Sequence, residues 1–230
     1  MVKKRDIAEA RERLSRDAIV TGAIALADAE GLGAVTIRRL AQSHGVTPMA
    51  LYWHFKDKDQ LLDGIAERLF QEVQFPPVDS APWDEQLRAV LMALVAALRP
   101  HPSVAWLARD RIFSCEPGLA IAERTLSLLR QAGFTADRSA DIGGFLLTAV
   151  VTLVSVEPGS AYGTDAESRD DALRVKTAAL SALSPRRYPS VVASAGALAA
   201  CTGPDSNHEL GIGMMVTGIV CMADGRVSSR

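Results

Sequence analysis

Cysteine, histidine and aromatic residues are scarce in this chain of 230 residues, and each shortage closes off a class of function. The three cysteines, Cys115, Cys201 and Cys221, are odd in number, far apart and set among apolar neighbours. They read as reduced core residues of a cytoplasmic protein, not as a disulfide framework or a zinc site. The four histidines, His44, His54, His101 and His208, stand in no HExxH or comparable ligand spacing, so no metal is expected. GxGxxG, P-loop and GxSxG elements are all missing. The Gly143-Gly144 pair lies inside a helical pattern, where close helix packing explains it better than phosphate binding. An enzyme is therefore not expected, and neither is a cofactor. Long apolar runs are absent too: the uncharged stretches 142–156 and 210–223 fall short of the roughly 20 residues that cross a bilayer. The opening KKRDIAEARERLSRD is charged with no apolar stretch behind it, so no signal peptide is expected.

Charge of one sign is also lacking. The formal net charge is −2, so nucleic-acid binding cannot be argued from the whole chain. Residues 1–60 hold ten Lys or Arg against eight Asp or Glu, a net of +2, which leaves −4 for the remainder. What is abundant is aliphatic: 48% of residues are hydrophobic while only 5% are aromatic, and alanine and leucine dominate. That composition favours an all-α fold with a sizeable core.

The most informative stretch is TIRRLAQSHGVTPMALYWHF, residues 36–55. Ile37, Leu40 and Ala41 fall at i, i+3 and i+4, one apolar face, with Arg38, Arg39, Gln42 and Ser43 on the other side. Thr36 is a plausible N-cap, Gly45 supplies a sharp turn, and Val46 is an apolar plug between two helices. Thr47-Pro48 restarts the helix, because proline's missing N–H is one the first turn leaves unpaired. Leu51 and Phe55 face inward at i and i+4, leaving Met49, Ala50, Tyr52, Trp53 and His54 to point elsewhere. Helix, glycine turn and capped helix at this spacing make a helix-turn-helix, whose second helix enters the major groove of DNA. The alternative is an ordinary helical corner that packs its aromatics inward.

The segment TIRRLAQSHGVTPMALYWHFKDKDQLLD resembles the DNA-binding domain of the TetR family of bacterial transcriptional repressors, and LYWHFKDKDQLLD is its most specific part. The likeness continues more weakly through WDEQLRAVL and LLRQAGFTADRSA and resembles the family's tetracycline-repressor branch. It implies a DNA-binding domain over 1–56 with a basic N-terminal arm, and a ligand-binding and dimerisation domain over 57–230. The helix at 57–74, opened by an Asp57 and Gln60 capping box, connects the two. Carried over residue by residue, Thr36, Tyr52 and Lys58 would hold phosphates, while Arg38, Thr47, Met49, Ala50, Trp53 and His54 would lie on the groove-facing side.

Apolar periodicity predicts further helices over 16–30, 83–98, 104–112, 117–131, 137–156, 171–183 and 208–223. The stretch 184–200 carries no readable period, and 158–170 reads as a loop able to act as a lid. The helices 137–156 and 208–223 have almost no polar face, which calls for cover from a second copy in a four-helix bundle. The resemblance likewise implies a homodimer, which would set two reader helices about 34–36 Å apart on a palindromic operator. It also implies a pocket lined by Gln74, Val90, Leu94, Trp106, Phe113, Thr125, Phe145, Leu146, Thr148 and Thr152, suited to a hydrophobic or aromatic effector. In that branch the drug is held through a magnesium ion on a histidine of the sixth helix. Here SVAWLARDRIF has no histidine and Ala108 lies where the ligand is expected, so a metal-free effector is implied. Two other readings stay open: a dimeric carrier of hydrophobic ligands without specific DNA readout, and a regulator of this type with no small-molecule inducer.

Overall fold

Capping side chains fix the start of three of the first four helices. The computed structural model describes residues 14–75, 80–156, 166–200 and 204–225; the basic arm and most of the 158–170 loop lie outside them. Ser15 accepts from the Ala18 amide at 3.1 Å and starts α1, Arg16–Glu30. A 3-10 turn, Leu32–Ala34, leads to Thr36, whose hydroxyl accepts from the Arg39 amide at 3.2 Å and starts α2, Ile37–Ser43. Gly45, at φ 66°, makes the left-handed step that turns the chain back. Pro48 then opens α3, Pro48–Tyr52. Asp57 accepts from the Gln60 amide at 2.8 Å and starts α4, Lys58–Gln71. The reciprocal bond of the expected capping box goes one residue further out, from the Lys56 amide to Gln60 Oε1 at 3.0 Å.

The remaining described elements are also helical: α5 Trp83–Leu98, α6 Trp106–Arg111, α7 Glu116–Gln131, α8 Ala136–Ser155, α9 Ala166–Ser181, α10 Pro189–Ala193, α11 Ala195–Ala200 and α12 Pro204–Ala223. Leu87, Val90, Leu91, Leu94, Val95 and Leu98 of α5 are all buried, as their spacing predicts. Leu61, Ile65, Ala66 and Leu69 of α4 are fully buried, because α4 packs on α1 along one side and on α5, α6 and α7 along the other. One continuous hydrophobic core results.

Three local expectations change. Residues 184–200 form two short helices, α10 and α11, which pack on α9 around Ala195 and Ala199; Pro189 at the first position of α10 supplies the start that periodicity did not. Helices α9 and α12 begin several residues earlier than expected, at Ala166 and Pro204. Trp106, expected inward, is exposed at the head of α6 while Val104, Ala105 and Leu107 bury.

The two helices that read as apolar all round pack on each other, and α12 also packs on α5. Each keeps an apolar stripe outward: Gly144 and Phe145 on α8, Leu210, Met214 and Gly218 on α12. By length and hydropathy α8 could cross a membrane, a test that the core helix of a helical protein also passes.

The α6–α7 corner tolerates no side chain at Gly118, where a Cβ would lie 2.1 Å from the Ile112 carbonyl oxygen. At Gly144 a Cβ would meet nothing within 4 Å. Thermal unfolding followed by circular dichroism should therefore separate two equal-sized changes. Gly118→Ala should lower Tm by at least about 3 °C, as overpacking in a core does. Gly144→Ala should leave Tm unchanged or raise it, since alanine is the better helix former. Equal Tm values for Gly118→Ala and the parent would refute the close backbone approach.

Candidate functional site

The reader face arises from what the first helices cannot bury. Packing α2 on α3 encloses Leu40, Leu51 and Phe55 completely. Thr36, Arg38, Thr47, Met49, Tyr52 and Trp53 are left exposed and His54 half-buried. Met49, on this five-residue helix, is 66% exposed and Trp53, just past its end, 76%, and nothing among the described residues covers them. Ala50 departs from expectation. It is only 8% exposed and belongs to the core, because the crossing of α2 covers the first turn of α3 as well as Leu51. Thr47 caps α3 by backbone conformation alone, so its hydroxyl is not spent on the helix. The Thr36 hydroxyl accepts from an amide and keeps its proton for donation.

Charges on this face divide cleanly. Arg39 is tied back to Glu30, whereas Arg38 makes no hydrogen bond or ion pair among the described residues. Lys58 stands exposed at the first position of α4, beside exposed Lys56. Arg16 holds the end of α3 in place: its guanidinium lies 4.5 Å over the Phe55 ring and donates to the His54 carbonyl at 3.5 Å. Arg111, at the C-terminus of α6, grips Asp59 at 3.0 Å and also Asp63, both on α4. Burial alone would lower the Arg111 pKa, but hydrogen bonds to Asp63 and Asp59 outweigh it and hold the group above its already high value. Cys115, between α6 and α7, is pushed upward chiefly by burial and so stays a neutral thiol.

A cavity of about 700 Å³ opens among α5, α6, α7 and α8. Of the expected lining, Val90, Leu94, Phe113, Thr125, Phe145, Leu146 and Thr148 are present. Gln74, Trp106 and Thr152 are not: Gln74 lies exposed beyond the end of α4, Trp106 faces outward, and Thr152 sits one turn past Thr148, to whose carbonyl it donates at 2.8 Å. Leu91, Arg109, Ile112, Ile121, Leu126 and Gly144 complete much of the wall. Sequence reasoning missed Arg109, because the string ARDR reads as a solvated charged face. No described lining residue is a histidine, carboxylate or cysteine. Among the described residues no group of three or more His, Cys, Asp or Glu could hold a metal ion.

Comparison with known proteins agrees with both halves. Residues 19–65 match the profile described as bacterial regulatory proteins, tetR family, and residues 75–223 match the tetracyclin repressor-like C-terminal domain. The tetracycline repressor protein class C of Escherichia coli is 30% identical over 213 residues, covering 90% of this chain and 91% of that one. An HTH-type transcriptional regulator of Saccharopolyspora erythraea is 31% identical over 144 residues, 63% of this chain and 61% of that relative's length. Among solved structures, ActR of Streptomyces coelicolor in complex with actinorhodin superposes with a TM-score of 0.74 at 28% identity, over 91% of this chain and 98% of ActR. These matches define a helix-turn-helix transcriptional regulator with an all-helical fold. The chain belongs to the TetR family.

Fluorescence anisotropy on DNA selected from a random pool should resolve the roles on the reader face. Arg38→Ala should weaken binding by about 5- to 150-fold, the value of a good base contact. Lys58→Ala should reduce the slope of log K against log salt by about one. An unchanged affinity for Arg38→Ala would remove that residue from the interface.

Proposed function

We propose that this regulator is a ligand-responsive repressor: a homodimer that binds a palindromic operator and leaves it when a small, mainly apolar or aromatic effector fills the cavity. The division of labour falls at residues 56 and 57, with α4 as the connecting helix. The observation that carries the reading is the double role of α6. Its pocket side contributes Arg109, with Ile112 and Phe113 just past its end, and Arg111 holds Asp59 and Asp63 on α4. Helix α4 begins with Lys58 at the reader edge, so an effector that displaces α6 would swing the first turn of α4 and respace the two heads.

The cavity supports the effector class. Its volume lies within the roughly 300–1,000 Å³ of drug-sized sites, and aliphatic and aromatic groups make most of its wall. Among the described lining residues no histidine or carboxylate offers itself to a divalent ion, which favours a metal-free effector. ActR, one of the structural neighbours, is described in complex with actinorhodin and with (S)-DNPA, so a protein of this fold binds small molecules there. The outward stripes on α8 and α12 are the surfaces a second copy would cover, and a regulator of transcription works in the cytoplasm.

Effector binding can lower operator affinity only through a difference in affinity for the two forms, about 1–3 kcal/mol in typical cases. Selection of bound DNA from a random pool should enrich an inverted repeat with half-sites one turn apart, and a screen of aromatic compounds against that complex should find one that releases it. Arg111→Gln should keep operator affinity within about threefold yet reduce release by about tenfold. Enrichment of no sequence by a folded dimer would replace this reading with that of a ligand carrier.

A further inference from the structure

We propose that the effector is an acid: an apolar, ring-containing molecule whose anionic group is bound by Arg109 at the rim of the cavity. The inference rests on the reading that this cavity is the effector site, and it adds the chemistry by which the site recognises its occupant.

Three polar side chains line the cavity among the described residues, and two of them have already spent their donors. Thr125 donates to the Ile121 carbonyl at 2.9 Å, and Thr148 donates to the Gly144 carbonyl at 2.9 Å. The third is Arg109, the one charged residue in the described lining. Its Nε donates to Thr148 Oγ1 at 3.1 Å, which fixes the guanidinium across the gap between α6 and α8. Its Nη1 lies 3.3 Å from Asp110 Oδ1, a long bond to a carboxylate that is 62% exposed and well screened by water. Nη2 has no partner among the described residues.

The Arg109 side chain is 50% exposed, so an occupant would displace only the water on its cavity side. A neutral hydrocarbon would leave the donors on that side unpaired, which is unfavourable. A carboxylate, sulfonate or phenolate would take the vacant Nη2 hydrogens and the second Nη1 hydrogen in the forked geometry that arginine offers. The ligand's rings would meanwhile lie on Leu94, Phe113 and Leu146. Because Arg109 is two residues from Arg111, an anion held there would also bear on the segment that grips α4.

Two dyes that share a ring system test this. 1-Anilinonaphthalene-8-sulfonate carries an anion, and N-phenyl-1-naphthylamine lacks it. Both are titrated by fluorescence into the full chain, into Arg109→Gln and Asp110→Asn variants, and into Thr125→Trp, which fills the cavity from its buried wall on α7 and is checked for its fold by circular dichroism. Arg109→Gln should weaken the sulfonate by about 3- to 10-fold, as loss of a charged hydrogen bond partly screened by water does, and change the neutral dye by less than about twofold. Asp110→Asn should tighten the sulfonate alone, a result that a merely structural Arg109 would not give. Thr125→Trp should abolish saturable binding of both. Equal response of both dyes to Arg109→Gln, with no effect of Asp110→Asn, would overturn the acid subsite while leaving the cavity as an apolar site. Dye binding that survives in folded Thr125→Trp would overturn the cavity itself as the effector site.

Discussion

The burial of α4 on two sides is the constraint on which the rest depends. Leu61, Ile65, Leu69 and Phe70 are enclosed between α1 and the helices α5 to α7. Four such side chains contribute about 1.5–3 kcal/mol each, against a total stability of about 5–15 kcal/mol for an ordinary domain. Helix α4 therefore cannot detach while the protein stays folded; in the proposed release it would move as a rigid piece. The Arg111 clasp would set where it is held, and its two carboxylates are unequal. Arg111 is 20% exposed and Asp63 38%, while Asp59 is 82% exposed and largely screened. Asp63 therefore carries most of the grip, one turn beyond the start of α4.

The reader was legible because punctuation, not periodicity, defines it. Thr36, Gly45, Thr47-Pro48 and Asp57 each impose a local geometry that the structure adopts. Ala50 escaped for a related reason. Five residues are too few to define an apolar stripe, so Leu51 and Phe55 gave the inward side of α3 but not its width. With Ala50 inside, the outward set that remains is Thr47, Met49, Tyr52 and Trp53, poor in side chains able to make bidentate base contacts. Sequence discrimination at the groove would then fall mainly on Arg38, with Met49 in apolar contact.

The cavity was legible where long helices carry it and illegible where short ones do. Val90, Leu94, Thr125, Leu146 and Thr148 sit on α5, α7 and α8, each at least sixteen residues long, where apolar spacing fixes direction. Helix α6 has six residues, and hydrophobicity alone sent Trp106 inward when the buried positions were Leu107 and Ala108. Arg109 lies in the string ARDR, which reads as a solvated charged face. Only the fold reveals that α8 stands opposite and presents Thr148 to it. Stretch 184–200 failed for want of contrast, being mostly alanine, serine and valine with no polar face to set a period.

Cavity and outer surface are not independent. Phe145 lines the cavity and is also 63% exposed, and Gly144 beside it is both lining and exposed. In the proposed dimer, a second copy laid against α8 would close the same wall from outside. Effector binding and dimerisation would then act on one surface, and linkage requires that each alter the other by the same factor. An effector that pressed Phe145 outward would weaken the dimer as well as respace the heads, whereas one that drew it inward would strengthen it. A cavity walled by buried aliphatic groups on α5 and α7, and by an exposed aromatic on α8, could respond in either sense. The effector's length beyond Arg109 would decide which.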